Sequence, residues 1–166
     1  RPPRRYRAAE AATGIEWEYL AAINLVETGM GRIVGLSTAG ARGPMLYSPS
    51  TWEEGGVGSI DEPHDSIQAA ARYLVRRGGP ADMDAALFGY NNADEYVEAV
   101  SHYAELFRRD ERNLVGPYHW EIHFFGETGD LWLPVGYRRA EPQPIADYER
   151  SAPWSVPPPG VIRGDR

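Results

Sequence analysis

Ile15, Tyr19, Ala22, Ile23 and Val26 recur at three- and four-residue spacing, the period of one face of an α-helix. Thr13-Gly14-Ile15-Glu16 stands ahead of them and reads as a capping box. In it the Thr13 hydroxyl takes an orphan N–H and Glu16 reaches back to the cap. Gly29 and Gly31 follow and stop the helix. The same spacing returns in three further helices. One is capped by Asp65 and runs through Ile67, Ala70, Ala71, Leu74 and Val75 to Gly78-Gly79. The second is capped by Asp82 and carries Met83, Ala86, Leu87 and Phe88. The third starts at Asp94 and carries Tyr96, Val97, Val100, Tyr103, Ala104 and Phe107. Packing into a core is the default explanation of these residues.

After residue 118 the period changes to two. Trp120, Ile122 and Phe124 alternate with polar residues, Gly126 to Asp130 turns, and Leu131, Leu133 and Val135 alternate again. This predicts a β-hairpin within 111–140. Residues 28–51 are rich in Gly, Ser, Thr and Pro and too long for a plain connector, as functional loops often are. Pro49-Ser50-Thr51-Trp52 reads as the entry to a short helix. Residues 1–12, with Arg1, Arg4, Arg5 and Arg7, are expected to be a frayed arm. Residues 141–166, with Pro157-Pro158-Pro159, are expected to be an extended Pro-rich tail that Trp154 could anchor. The fold class is mainly α, with a C-terminal β-hairpin and that tail.

Composition narrows the function. A chain of 166 residues suits one domain with a real core. A net charge of -7 argues against nucleic acid as a partner. No run reaches the roughly 18 apolar residues of a membrane span. Cysteine is absent, which excludes disulfides and thiol chemistry. Every basic side chain is Arg, which hints at a GC-rich coding sequence rather than at function. With neither an initiator Met nor a hydrophobic signal region, the chain is expected to be a processed form, and no compartment follows from targeting signals.

Two carboxylate-bearing patterns invite chemistry. His119, Glu121 and His123 share one strand face, but the two imidazoles of an extended strand would stand about 13 Å apart. That face reads as solvated, and no metal is expected. Glu27 is the better candidate. It lies on or beside the apolar face and at the negative end of its helix. Both placements disfavour its charged form and raise its pKa toward the range of a general acid. The same position also suits an exposed Glu at a frayed helix end. The nearest other acids, Glu53-Glu54, are explained as a charged helix surface. Gly89-Tyr90-Asn91-Asn92 reads by itself as a connector.

Taken in order, Glu27-Thr28, Ser37, Gly40-Ala41-Arg42-Gly43-Pro44-Met45, Pro49-Ser50-Thr51 and Gly89-Tyr90-Asn91 resemble the catalytic domain of the lytic transglycosylases, with goose-type lysozymes as distant relatives. The resemblance covers roughly residues 13–108. It implies a lysozyme-like helical domain over 13–110 and an extracytoplasmic, monomeric enzyme acting on peptidoglycan glycan strands without cofactor. It implies that Glu27 is the catalytic acid/base, that Ser37 and Met45 line the sugar groove, and that Tyr90 and Asn91 face the acid. Thr28, Leu46 and Asn92 complete the implied substrate-binding set, each as a departure from the family pattern. Thr28 stands for a usual Ser and keeps the hydroxyl. Leu46 stands for a Gln, so a side-chain amide is lost. Asn92-Ala93 replaces Ala-Gly. The implied reaction yields 1,6-anhydromuramic acid ends. A hydrolytic muramidase and a cell-wall binding module that has lost turnover are the competing expectations.

Overall fold

The computed structural model describes residues 4–37, 39–126, 129–136 and 141–152. It is mainly helical, with one small antiparallel sheet. The chain forms two compact units. The first runs to His119 and takes in Gly136; the second holds Trp120–Val135 and the described residues from 141 onward.

The first unit is built around α2, Trp17–Thr28. Its sequence is apolar on nearly every side, so it is enclosed rather than laid on a surface. Trp17, Leu20, Ala21, Ala22, Ile23, Asn24, Leu25 and Thr28 are all buried. Val26, expected on the core face, is the side that reaches solvent, at 37% exposure. Helix α2 packs on α1 (Arg4–Thr13), on α4 (Pro63–Arg76) and most extensively on α6 (Asp94–Arg109). Trp17 of α2 stacks on Phe107 of α6 with ring centroids 6.4 Å apart. Two shorter helices complete the unit: α3, Pro49–Glu53, and α5, Met83–Tyr90.

The helix ends correct three expectations. Residues 4–13 are not a frayed arm: they form α1, with Tyr6 and Ala9 buried. Thr13 is therefore the last residue of a helix rather than a cap. Its hydroxyl donates to the Ala9 carbonyl, and Glu10 accepts from the Trp17 N–H at the start of α2. Helix α4 begins at Pro63, whose missing N–H suits a first turn. Asp65 lies inside that helix and accepts from the Ser59 N–H. At the other end of α2, Gly29 adopts the left-handed conformation (φ 57°, ψ 49°), and the Met30 N–H returns to the Asn24 carbonyl. This closes the helix as a glycine C-cap does. Asp82 caps α5 by accepting from the Ala85 N–H, and Ser48 caps α3 by accepting from Thr51.

In the second unit β1 (Ile122–Gly126) and β2 (Gly129–Leu133) pair antiparallel, Ile122 opposite Leu133 and Phe124 opposite Leu131. A third strand, β3 (Gln143–Pro144), adds to β2, and α7 (Ile145–Ser151) follows. These two elements occupy part of the stretch expected to be an extended tail. Tyr148 of α7 stacks on Trp132 of β2 and donates to the Glu121 carboxylate at 2.6 Å, which ties the helix to the sheet. His119 closes a 3-10 turn instead of sharing a strand face with His123, whose ring lies 3.3 Å from Glu121. Arg1, Trp154 and Pro157-Pro158-Pro159 lie outside the described residues, as do the tip residues 127–128 of the hairpin.

Candidate active site

The last turn of α2 opens into a groove of about 340 Å³. Glu27 lines it. Tyr90, at the end of α5, and Asn91, which follows it, line the same groove. Ala39, Ala41, Leu46 and Tyr47 supply one wall, Ser48 and Thr51 the start of α3, and Tyr73 the face of α4. Among the described lining residues, Glu27 is the only acid.

Backbone tethers hold the wall in place. Residues 42 and 47 exchange N–H···O bonds in both directions, which makes 43–46 a tight loop. The Tyr90 hydroxyl donates to the Met45 carbonyl at 2.7 Å, joining that loop to α5. From below, the Thr28 hydroxyl and the Asn24 amide both donate to the Pro44 carbonyl, at 2.6 and 2.7 Å. Gly43 lies so close to the Ile60 carbonyl that a β-carbon would stand 2.2 Å from its oxygen, and its φ is 81°. Only glycine meets both conditions.

The electrostatics around Glu27 are set by burial. Loss of water raises its pKa from the usual 4.5 to about 7. The Tyr96 hydroxyl opposes this weakly. It lies within reach of the Glu27 carboxyl and favours its charge, yet is buried without a fully formed hydrogen bond. Burial, then the negative charge of Glu27, raise the Tyr96 phenol in return. Tyr96 stacks on Tyr90, which touches Tyr47 and Tyr73 in turn, so the acid sits against a tyrosine cluster. Burial raises Tyr47 and Tyr90 as well, so both stay neutral donors. A carboxylic acid half protonated near pH 7 can give and take a proton in one cycle. Removing the Tyr96 hydroxyl (Tyr96→Phe) is expected to raise the Glu27 pKa further. Carboxyl ¹³C NMR titration would read this, and an unmoved or lowered midpoint would disconnect the two groups.

The residues singled out from sequence fall into three groups. Glu27, Leu46, Tyr90 and Asn91 line one groove. Thr28 and Met45 lie beneath it, 1% and 0% exposed. Thr28 spends its hydroxyl on Pro44 and accepts from Gly31, while Met45 offers the groove's tether its carbonyl. Ser37 and Asn92 stand off the lining. The Ser37 oxygen accepts from the N–H groups of Ala39 and Ala41 and so shapes the wall's turn. Leu46 adopts φ 53°, uncommon for a residue with a β-carbon. Sequence reasoning did not find Tyr47 or Tyr73, and it placed Tyr96 in the core. Helical spacing says that a residue is enclosed, not that a buried hydroxyl faces an acid.

Over 108 residues, 60% of its length, the chain is 30% identical to the membrane-bound lytic murein transglycosylase F of Thiobacillus denitrificans. The match covers 23% of that protein, so the chain spans about a quarter of the curated relative it resembles. No family model matches the chain, and no solved structure does.

Proposed function

We propose that this chain is a peptidoglycan lytic transglycosylase with a lysozyme-like helical domain, acting outside the cytoplasm on glycan strands. The observation that carries the reading is Glu27: the one acid among the described residues lining a groove, with its pKa raised to about 7 and Tyr90 and Asn91 in the same lining. The partial similarity to a murein transglycosylase supports the same substrate.

Glycosidases that use water or a covalent intermediate employ two carboxyl groups. The described lining offers one, so it is used twice. Protonated Glu27 donates to the oxygen between N-acetylmuramic acid and N-acetylglucosamine, and the bond from that oxygen to the muramic C1 breaks. The positive charge is held on the sugar ring or by its own N-acetyl group. Glu27, now a carboxylate, removes the proton of the muramic 6-hydroxyl, and O6 closes onto C1. The acid ends as it began, no water is consumed, and the product carries a 1,6-anhydro ring. Asn91 hydrogen-bonds the sugar, Tyr90 offers its ring while its hydroxyl fixes the wall, and Thr28, Ser37 and Met45 keep that wall in position. The test digests purified peptidoglycan and weighs the fragments. Ends one water lighter than reducing ends support the proposal; reducing ends indicate a muramidase; binding without fragments indicates a wall-binding module.

Leu46 is a position where the groove is less polar than the family pattern. It is half-buried in the lining. Leu46→Gln is expected to improve glycan affinity about two- to tenfold, from one net hydrogen bond of about 0.5–1.5 kcal/mol. Affinity measured by calorimetry on glycan oligomers checks this. No gain in a folded variant would mean that residue 46 does not touch sugar.

A further inference from the structure

The end of α4 carries two arginines beside Tyr73, which lines the groove. Arg72 is half-buried, and its Nη2 donates to the Gly55 carbonyl at 3.2 Å. Arg76 lies against the same glycine: a β-carbon on Gly55 would stand 2.5 Å from the Arg76 Nη1. Gly56 is covered in the same way by the Trp52 indole, which packs on Tyr47 of the groove wall at 5.7 Å. Arg76 also lies over the ring of Tyr73, 5.6 Å from its centroid, and Tyr73 lines the groove. The two guanidiniums thus meet at the Gly55 turn, with Arg76 also against Tyr73 of the groove. Their positive field reaches the Tyr47 phenol and favours its ionised form.

Several of the described arginines meet an acid. Arg7 meets Glu10, Arg42 meets Asp61, Arg108 meets Glu16 and Glu105, Arg112 meets Asp110 and Arg150 meets Asp147. Among the described residues no carboxylate lies within ion-pair distance of Arg72 or Arg76, although acidic residues outnumber basic ones 24 to 17. Glu54, next to Gly55 in the chain, and Glu53 before it pair with neither. The negative end of a helix accounts for a cation at Arg76. It does not account for Arg72, a turn earlier, being aimed at the same spot. Two like charges gathered without an acid suit an anion from outside.

We infer that Arg72 and Arg76 form a carboxylate-binding subsite at the rim of the Glu27 groove, taking the acid group of an anionic glycan strand. The inference rests on the peptidoglycan reading and adds to it what distinguishes muramic acid from a neutral sugar. That acid is carried by the lactyl ether in a bare strand and by the stem peptide in a substituted one. Guanidinium forks match either, since both present a carboxylate.

The experiment uses the full chain carrying Glu27→Gln, so that glycans persist, with and without Arg72→Gln and Arg76→Gln. The probes are a bare GlcNAc–MurNAc tetrasaccharide, the same sugar bearing stem peptides, and a neutral GlcNAc tetrasaccharide. Loss of both cations is expected to weaken the muramic ligands about tenfold and the neutral sugar by less than about twofold. The Arg72→Lys/Arg76→Lys pair should recover part of the loss. A loss confined to the bare sugar identifies the lactyl acid as the ligand, and one confined to the peptide-bearing sugar identifies the stem acid. Equal weakening of muramic and neutral sugars, or none, overturns the subsite while leaving the peptidoglycan reading intact. If the Glu27→Gln parent binds no muramic glycan, the peptidoglycan reading falls, and the subsite with it.

Discussion

Glu27→Gln is expected to lower turnover of purified peptidoglycan by at least about 10²–10⁴-fold, the range that general acid–base catalysis supplies. The amide keeps the size and polarity of the acid but can neither give nor take the proton. Glycan binding should persist. The same substitution should make the protein more stable at neutral and alkaline pH. Glu27 in the folded chain holds its proton to about pH 7, whereas an unfolded chain releases it near 4.5. Between those values the folded state binds more protons, so the stability Glu27 contributes falls as pH rises and is lowest above about 7. Gln carries no such dependence. The variant should match the wild type below pH 4 and exceed it by up to about 3 kcal/mol above pH 8. Urea unfolding at the two pH values, alongside fragment analysis, checks both halves. Undiminished cleavage would remove Glu27 from the mechanism, and a stability difference independent of pH would mean that its carboxyl is not buried as an acid.

Asn24→Ala should be strongly damaging although it removes a polar side chain from the body of the first unit. Asn24 is 2% exposed at the centre of α2. Its Oδ1 accepts from the Tyr6 hydroxyl at 2.7 Å, and its Nδ2 donates to the Pro44 carbonyl and, at 3.3 Å, to the Thr28 hydroxyl. One amide therefore joins α1, α2 and the groove wall. Alanine removes these bonds and leaves a polar-lined cavity. Unsatisfied buried partners and lost volume together put the cost at about 2–4 kcal/mol. For a unit of this size that lowers the melting temperature by about 10 °C. Differential scanning calorimetry measures it, and a cost below about 1 kcal/mol would show that Tyr6, Thr28 and Pro44 find other partners at little expense.

The helices were legible because their apolar residues keep one period from Ile67 to Leu74 and from Tyr96 to Phe107, and because Asp82 and Gly29 mark ends by local chemistry. The hairpin was legible for the corresponding reason, an alternation of two. What the sequence concealed was enclosure. Helix α2 looks one-faced when only Ile15, Tyr19, Ile23 and Val26 are counted. Its Ala21-Ala22 pair and Leu25 are what let neighbours close around the other sides, and Val26 is left outside. Asn24 carries no signal in that spacing, since polarity in a helix usually means solvent; here it forms a junction. Residues 1–12 read as an arm because arginines and alanines say little about burial, whereas Tyr6 of α1 docks through a bond to a residue 18 positions away. In the groove, Glu27, Leu46, Tyr90 and Asn91 were visible as a pattern. The involvement of Tyr47, Tyr73 and Tyr96 depends on how separate helices and the 42–47 loop converge, which no local spacing records.

The groove wall is fastened at Pro44 and at Met45, and in both cases the atom that is gripped is a main-chain oxygen. Every amino acid carries that oxygen. The fastening is therefore blind to side-chain identity along the wall, while the hands that grip it, Asn24, Thr28 and Tyr90, belong to helices. Substitutions at Ala39, Ala41 or Leu46, which line the groove, can change what it feels like to a ligand without loosening these fastenings, whereas Gly43 must stay glycine. Such an arrangement lets the groove's preference change while the frame stays put.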